Sequence, residues 1–483
     1  MALVLTFPFE STYSAAFQRT RASTSKRVVK KSSKRTGTTK GRAKRKKSRR
    51  STSRSSARRA NNAVVRGLTV IMEREVAPGV RYLTYHTDGP KPIVVHSVRI
   101  DRTVPSNAIR IAKAQNRFDG LERLPELTKS YARDQATQVI AAVNANFWRA
   151  GRSTPIGPCV VDGEIVEMLP HKSWSSALFD VEDRLTIDTF RIRGTLTLNG
   201  IEHDVTSVNR RVDSGFVLFN RFCGGKVPTV HTGDIDRQIT ELMRDTLFMN
   251  GDSTEQELTR EQLRRELTKA QQESNREYST WKIRFRYLRS PAVNLDIPVE
   301  VIDVDTGSVE VPLRGCVISI PRPYTGSLPK IGVKGVIRFS TNKHHSTKFM
   351  NAVSGTPRLV RDGRQGHEAA IEGVTAQRFI QQALARTAIG TDRSGNELTF
   401  VAIPAGSAAT SGASLSQLSS IMKLIGCHQA MNLDGGGSSG MVVEDDHVFF
   451  EGETPLTRRI AVALAVVRRS HILRSVIGGT APP

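Results

Sequence analysis

The chain has 483 residues and a formal net charge of +25, from 71 Lys plus Arg against 46 Asp plus Glu. Residues 1–60 hold 19 of the cations and a single acid, Glu10, so about +18 sits there and only about +7 on the remaining 423 residues. The basic balance therefore describes a tail, and no run approaches the ~18 consecutive apolar residues that a helical membrane span needs.

The opening MALVLTFPF is apolar but short. No charged region precedes it and no small-residue cleavage site follows promptly, so it does not read as a standard signal peptide. Residues 15–62 are rich in Arg, Lys and Ser and have almost nothing to bury, which predicts a disordered tail over 1–66. Docking to a polyanion, either nucleic acid or an anionic envelope, ranks ahead of an organellar transit peptide or a solubilising tail, because each cation meeting a phosphate releases a counterion. No aromatic residue is interleaved with the basic ones from Arg19 onward, so base stacking is not indicated.

Order is expected from about residue 68. GVRYLTYHT and PIVVHSVRI read as strands, and TQVIAAVNANFW (137–148) as a buried strand ending at Asn144 and Asn146. GPCVVDGEIVEM and RLTIDTFRIRGTLTLNGIEHDV carry Asp162-Gly163 and Asn199-Gly200 between apolar arms, strong hairpin signals. Residues 253–278 then turn charged and helix-favouring, with Ser253 and Gln256 as a capping box. Leu258, Leu263 and Leu267 are too sparse for a core helix, which predicts an exposed helical insertion. Strand patterns resume to residue 340, followed by a helical TAQRFIQQAL and two strands around a turn at 392–396. Residues 414–426 form the cleanest helix, with Ser414 and Gln417 as a capping box and Gly426 just past its end. A strand, HQAMNL, leads from it into LDGGGSSG. MVVEDDHVFF is a hairpin and RRIAVALAVV a closing buried strand. The whole is an α+β fold of β-rich mixed sheets flanked by a few helices.

The cysteines Cys159, Cys223, Cys316 and Cys427 are far apart and form no CxxC pair, so buried small hydrophobes are the simplest reading. Three glycines in a row cost much conformational entropy, and a hairpin turn needs only one or two. Gly435, Gly436 and Gly437 could let backbone amides approach a ligand, with Ser438 and Ser439 adding hydroxyls. The alternative is a tight turn. Asp434 is the carboxylate of such a site or a turn-forming Asp, and spacing leaves both open. It could also ligate a divalent cation such as calcium, although no His or Cys spacing indicates a metal. Asn144 and Asn146 suit sugar hydroxyls or Asx turns. Arg386 and Arg459, the latter beside Arg458, suit bidentate phosphate recognition or plain surface charge.

Taken together, several segments resemble the phosphodiester glycosidase family. AMNLDGGGSSGMVV is similar to its NLDGGGS signature and ARTAIGTDRSG to its R-T-A-I-G strand and turn. AAVNANFW, STPIGPCVVDGEIV, AVSGTPRLVRDGR and RRIAVALAVV match further family segments in the same order, from about residue 70 to 469. Departures fall at Ala145, Trp148 and Gly440. The resemblance implies one glycosidase-like domain over 67–470, with a helical insertion at 240–282 and a short tail at 471–483. It implies catalytic roles for Asp434, Arg386, Arg459 and Asn144, and substrate contacts from Asn146, Thr387, Asn432, Gly435, Gly436, Gly437 and Ser438. The implied reaction is hydrolysis of a sugar C1–O–P diester, and the family's habit favours a place outside the cytoplasm. The rival reading is a non-catalytic glycan- or envelope-binding protein that uses the same cleft, anchored by its tail.

Overall fold

The computed structural model describes residues 65–88, 92–228, 235–247, 259–407, 410–449 and 457–468. The basic tail, residues 469–483 and the expected Ser253/Gln256 cap all lie outside the described residues. Five α-helices occur among the described residues: α1 (Leu124–Asp134), α2 (Ile235–Leu247), α3 (Arg260–Arg276), α4 (Gln377–Gln381) and α5 (Leu415–Leu424).

Two antiparallel sheets face each other across the largest apolar core. The first has eight strands, paired in the order Leu68–Ala77, Val80–Thr87, Val94–Asp101, Glu397–Ile403, Arg386–Thr391, Gln429–Asn432, Arg358–Arg361, Arg364–Gln365. Its central strands are buried on both faces, which is why they read as nearly unbroken apolar runs. Ile389, Leu398 and Phe400 point into the shared core, while Ala388, Val401 and Ile403 point the other way, against Leu415, Leu418 and Met422 of α5. Ser414 and Gln417 cap α5 reciprocally, at 3.3 and 2.9 Å, as its sequence predicts.

The second sheet pairs Asp446–His447, Met441–Val443, Val139–Asn144, Val462–Arg468 and Asn107–Lys113 in that order. Val143, Leu464 and Ile111 face the shared core, and Ala142, Ala463 and Ala112 face α1. The result is a four-layer α–β–β–α stack.

A five-stranded sheet (Leu185–Asp188, Ser175–Asp180, Phe349–Gly355, Cys159–Val161, Glu164–Glu167) shares an apolar cluster with a closed seven-stranded barrel built from 192–341. Within the barrel, Ile201–Val208 and Phe216–Phe219 are parallel. The two Asx-Gly hairpin turns have positive φ at both residues: 49° and 83° at Asp162-Gly163, 50° and 79° at Asn199-Gly200.

The charged insertion is helical, but it is not wholly exposed as expected. It is a pair, α2 and α3, and Leu263 is only 3% exposed, in contact with the shared core cluster. The apolar face that α3 lacks by itself is completed by Ile239 and Leu242 of α2. Thr259 and Gln262 cap α3. All four cysteines are buried, and none forms a disulfide. Burial raises the thiols of Cys159, Cys223 and Cys427 to about 12.

Candidate active site

The strand Gln429–Asn432 ends beside Arg386–Thr391, with Asn432 opposite Ala388. Beyond it the Gly-rich loop is fastened to both sheets by its own backbone. Leu433 N donates to Thr387 O, Asp434 N to Ala145 O and Gly436 N to Ala385 O, each at 2.9 Å. Gly436 has φ +61°, a conformation in which an L side chain is strained. A Cβ on Gly440 would lie 2.7 Å from His447 Nε2, which accounts for a glycine there.

Asn144 is the brace of this junction. Its Nδ2 donates to Asp434 O at 2.7 Å, and its Oδ1 accepts from Thr387 Oγ1 at 2.6 Å and Gly440 N at 3.1 Å. Both Asn144 and Thr387 are buried and turned to this work. Asn432 Nδ2 donates to Thr356 O at 2.7 Å and Leu433 O at 2.6 Å, and Asn146 Nδ2 donates to Ile156 O at 3.3 Å. The Oδ1 atoms of Asn146 and Asn432 are buried with no hydrogen-bond partner among the described residues. Leaving such an acceptor unfilled costs about 1–3 kcal/mol, so both suit a ligand donor.

Asp434 is 8% exposed, and burial pushes its carboxyl up to about 6. The Arg458 charge, the Ser438 hydroxyl and the Gly435 N–H oppose that rise. Gly435 N donates to Asp434 Oδ1 at 2.8 Å. The Arg458 guanidinium lies 4.6 Å over the Trp148 ring, so the cation that holds the Asp434 carboxyl down rests on an aromatic face. Gly435 and Gly437 are part-exposed, whereas Gly436 and Ser438 are buried.

The two nominated arginines stand elsewhere. Arg386 is fully buried, stacked 4.9 Å over Phe379, and donates to Ala413 O at 2.8 Å, Phe379 O at 2.6 Å and Gln382 O at 3.2 Å. It ties the C-terminal end of α4 to the sheet. Arg459 points away toward Glu241 of α2, at 3.9 Å, and lines a cavity of about 430 Å³ between the helical pair and the barrel. Asp434 does not line that cavity.

The cation whose charge acts on Asp434 is Arg458, named in the sequence only as the neighbour of Arg459. Adjacent residues in extended chain point to opposite sides, and sequence alone does not say which side is inward. Glu372 was also not foreseen. It is buried and accepts from Thr356 Oγ1 and Arg358 N, both at 2.7 Å, and from Ser175 Oγ at 2.6 Å. It thereby holds the Thr356 segment on which Asn432 rests. A single acid between apolar residues, as in AAIEGV, is its only sequence signal. Among the described residues no group of three or more His, Cys, Asp or Glu could hold a metal.

Residues 303–467 match the family model described as phosphodiester glycosidase. No curated protein matches the chain. A hypothetical protein from Synechocystis of known crystal structure shares the fold, with a TM-score of 0.56 and 17% identity over 83% of this chain. This chain spans 64% of that protein's length. The catalytic domain of zebrafish N-acetylglucosamine-1-phosphodiester alpha-N-acetylglucosaminidase, auto-inhibited by its pro-peptide, aligns with a TM-score of 0.41 and 11% identity, over 84% of this chain and 89% of that one.

Proposed function

Because residues 303–467 make this chain similar to the phosphodiester glycosidases, we propose that it hydrolyses a glycosyl-phosphate diester. Water adds to the anomeric carbon, the C1–O bond to phosphorus breaks, and a sugar and a phosphomonoester leave. The observation that carries this reading is the buried carboxylate of Asp434 under the charge of Arg458, which is stacked on Trp148.

A phosphate ester is a weakly basic leaving group, so acid assistance matters less than stabilising separated charge. Asp434, ionised above about pH 6, faces the positive charge that develops at the anomeric carbon. Arg458 takes the departing phosphate. The free Oδ1 acceptors of Asn146 and Asn432 receive sugar hydroxyls. Asn144, Thr387 and Arg386 act behind the cleft as positioning residues that fix the loop and its flanking strand. Ser438 and the part-exposed Gly435 and Gly437 form its floor. No step requires a metal held by the described residues.

The test is turnover of the methyl diester of N-acetylglucosamine 1-phosphate, and of a small panel of other sugar-1-phosphate diesters, by wild type and Asp434→Asn. Turnover by wild type and its loss in the variant are expected. Binding without turnover across the panel would instead favour a non-catalytic glycan-binding protein. Full rate in Asp434→Asn would remove Asp434 from the chemistry.

A further inference from the structure

The cavity of about 430 Å³ between α2, α3 and the barrel falls within the size range of about 300–1,000 Å³ that small-ligand sites occupy. Both helices lie outside the segment 303–467 that matches the family model. Its cations are all spent. Arg152 pairs with Glu273 at 2.6 Å, Arg211 with Glu277 at 2.5 Å, Arg210 with Glu167 at 2.9 Å, Arg117 with Asp119 at 3.1 Å and Arg459 with Glu241 at 3.9 Å. A polyanion would meet carboxylates beside every guanidinium, so the lining does not select one. What remains are the side-chain amides of Gln115, Gln238 and Gln271, against apolar walls that include Phe118 and Phe219. Amides offer both donors and acceptors, and apolar walls accept C–H faces. That combination suits an uncharged polyol.

The floor is also preorganised. Glu277, at the end of α3, is 2% exposed and accepts from Arg211, Thr280 and Ser319, which locks the helical pair onto the barrel. The cavity shares a wall with the candidate active site. One short hairpin carries Trp148, under Arg458, and then Arg152, Ser153 and Thr154, which line the cavity. The consecutive Arg458 and Arg459 serve one site each.

We infer that this cavity is a second binding site for a neutral polyhydroxylated chain, the glycan portion of the substrate that extends beyond the bond cut beside Asp434. The identity of that bond rests on the reading above, but the cavity's preference for neutral over anionic glycan does not.

The full chain is titrated with tetramers of glucose, mannose and N-acetylglucosamine, and with a sulfated tetrasaccharide and inorganic phosphate as anionic comparators, by calorimetry and saturation-transfer NMR. At least one neutral tetramer binds, more tightly than either anion. Ala270→Trp, which fills the cavity from α3, weakens that binding tenfold or more, and Gln271→Ala weakens it severalfold. If no neutral tetramer binds, if the anions bind better, or if both variants bind like wild type with wild-type circular dichroism, the inference is overturned. Should Ala270→Trp not fold, Gln271→Ala decides. The same preparation is assayed on the methyl diester, which has no glycan extension. Turnover without tetramer binding overturns the cavity assignment and leaves the hydrolase reading standing. Tetramer binding without turnover does the reverse.

Discussion

Asn144 Nδ2 donates to the main-chain carbonyl of Asp434 at 2.7 Å, so the strand of one sheet fixes the backbone of the only carboxylate in the loop of the other. Asn144→Ala would leave that carbonyl, the Thr387 hydroxyl and the Gly440 N–H buried together without their partner. A loss of about 2–4 kcal/mol in urea unfolding, with an unchanged slope, is expected. Stability equal to wild type would mean that the brace is replaceable.

Asp434 binds its proton more tightly in the folded chain than in the unfolded one, since burial raises it from 3.8 to about 6. The stability this contributes is complete below about pH 4 and is lost as pH rises through about 6. Asp434→Asn, which cannot ionise, should therefore exceed wild type in stability above pH 6 by about 3 kcal/mol, with the gap closing by pH 4. Thermal melts of both proteins from pH 4 to 8 measure this. Turnover should show an acid limb near pH 6 for the opposite reason, because the ionised form is the active one.

Arg458 holds the Asp434 carboxyl down. Arg458→Gln should move the acid limb of kcat to higher pH and lower kcat/KM on the methyl diester by about 100-fold, as removal of one preorganised charge partner does. An unshifted limb in an active variant would separate Arg458 from Asp434.

Arg386 has its donors in main-chain carbonyls and its face on Phe379. Lysine cannot reproduce that planar fork. Arg386→Lys should lower stability by about 2–3 kcal/mol while KM for the diester stays within about twofold of wild type. A large rise in KM with intact stability would return Arg386 to phosphate binding.

Leu263 sits in the shared core despite its charged surroundings. Leu263→Ala should cost about 2–3 kcal/mol, whereas an exposed helix would lose almost nothing. Chemical unfolding distinguishes the two.

Local signals were legible in the sequence wherever chemistry is local. Ser414 and Gln417 announce α5, Asp162-Gly163 and Asn199-Gly200 announce their hairpins, and NLDGGGS announces a loop at a strand end. Partnership was not legible, because it depends on residues hundreds of positions apart. Leu263 looked exposed until Ile239 and Leu242 joined it. The barrel strands could each be read, but closure is a property of register across 192–341. Arg386 and Arg459 have the right charge, and only three-dimensional placement shows one enclosed by carbonyls and the other turned to Glu241.

The sheet pairings also bear on how the chain reaches this state. Asn144 pairs with Ala463, and Ser97 with Val401, each about 300 positions apart. The first sheet cannot close until Gln429–Asn432 has been synthesised, and the second not until Val462–Arg468 has. At typical elongation rates the earlier strands wait for tens of seconds with unpaired edges. The barrel strands of 192–341 pair only with one another, so that unit can close first and hold the flanking strands within reach. Early termination would strand the Val139–Asn144 edge, and aggregation of such fragments is the cost of a candidate site stitched from both ends of the fold.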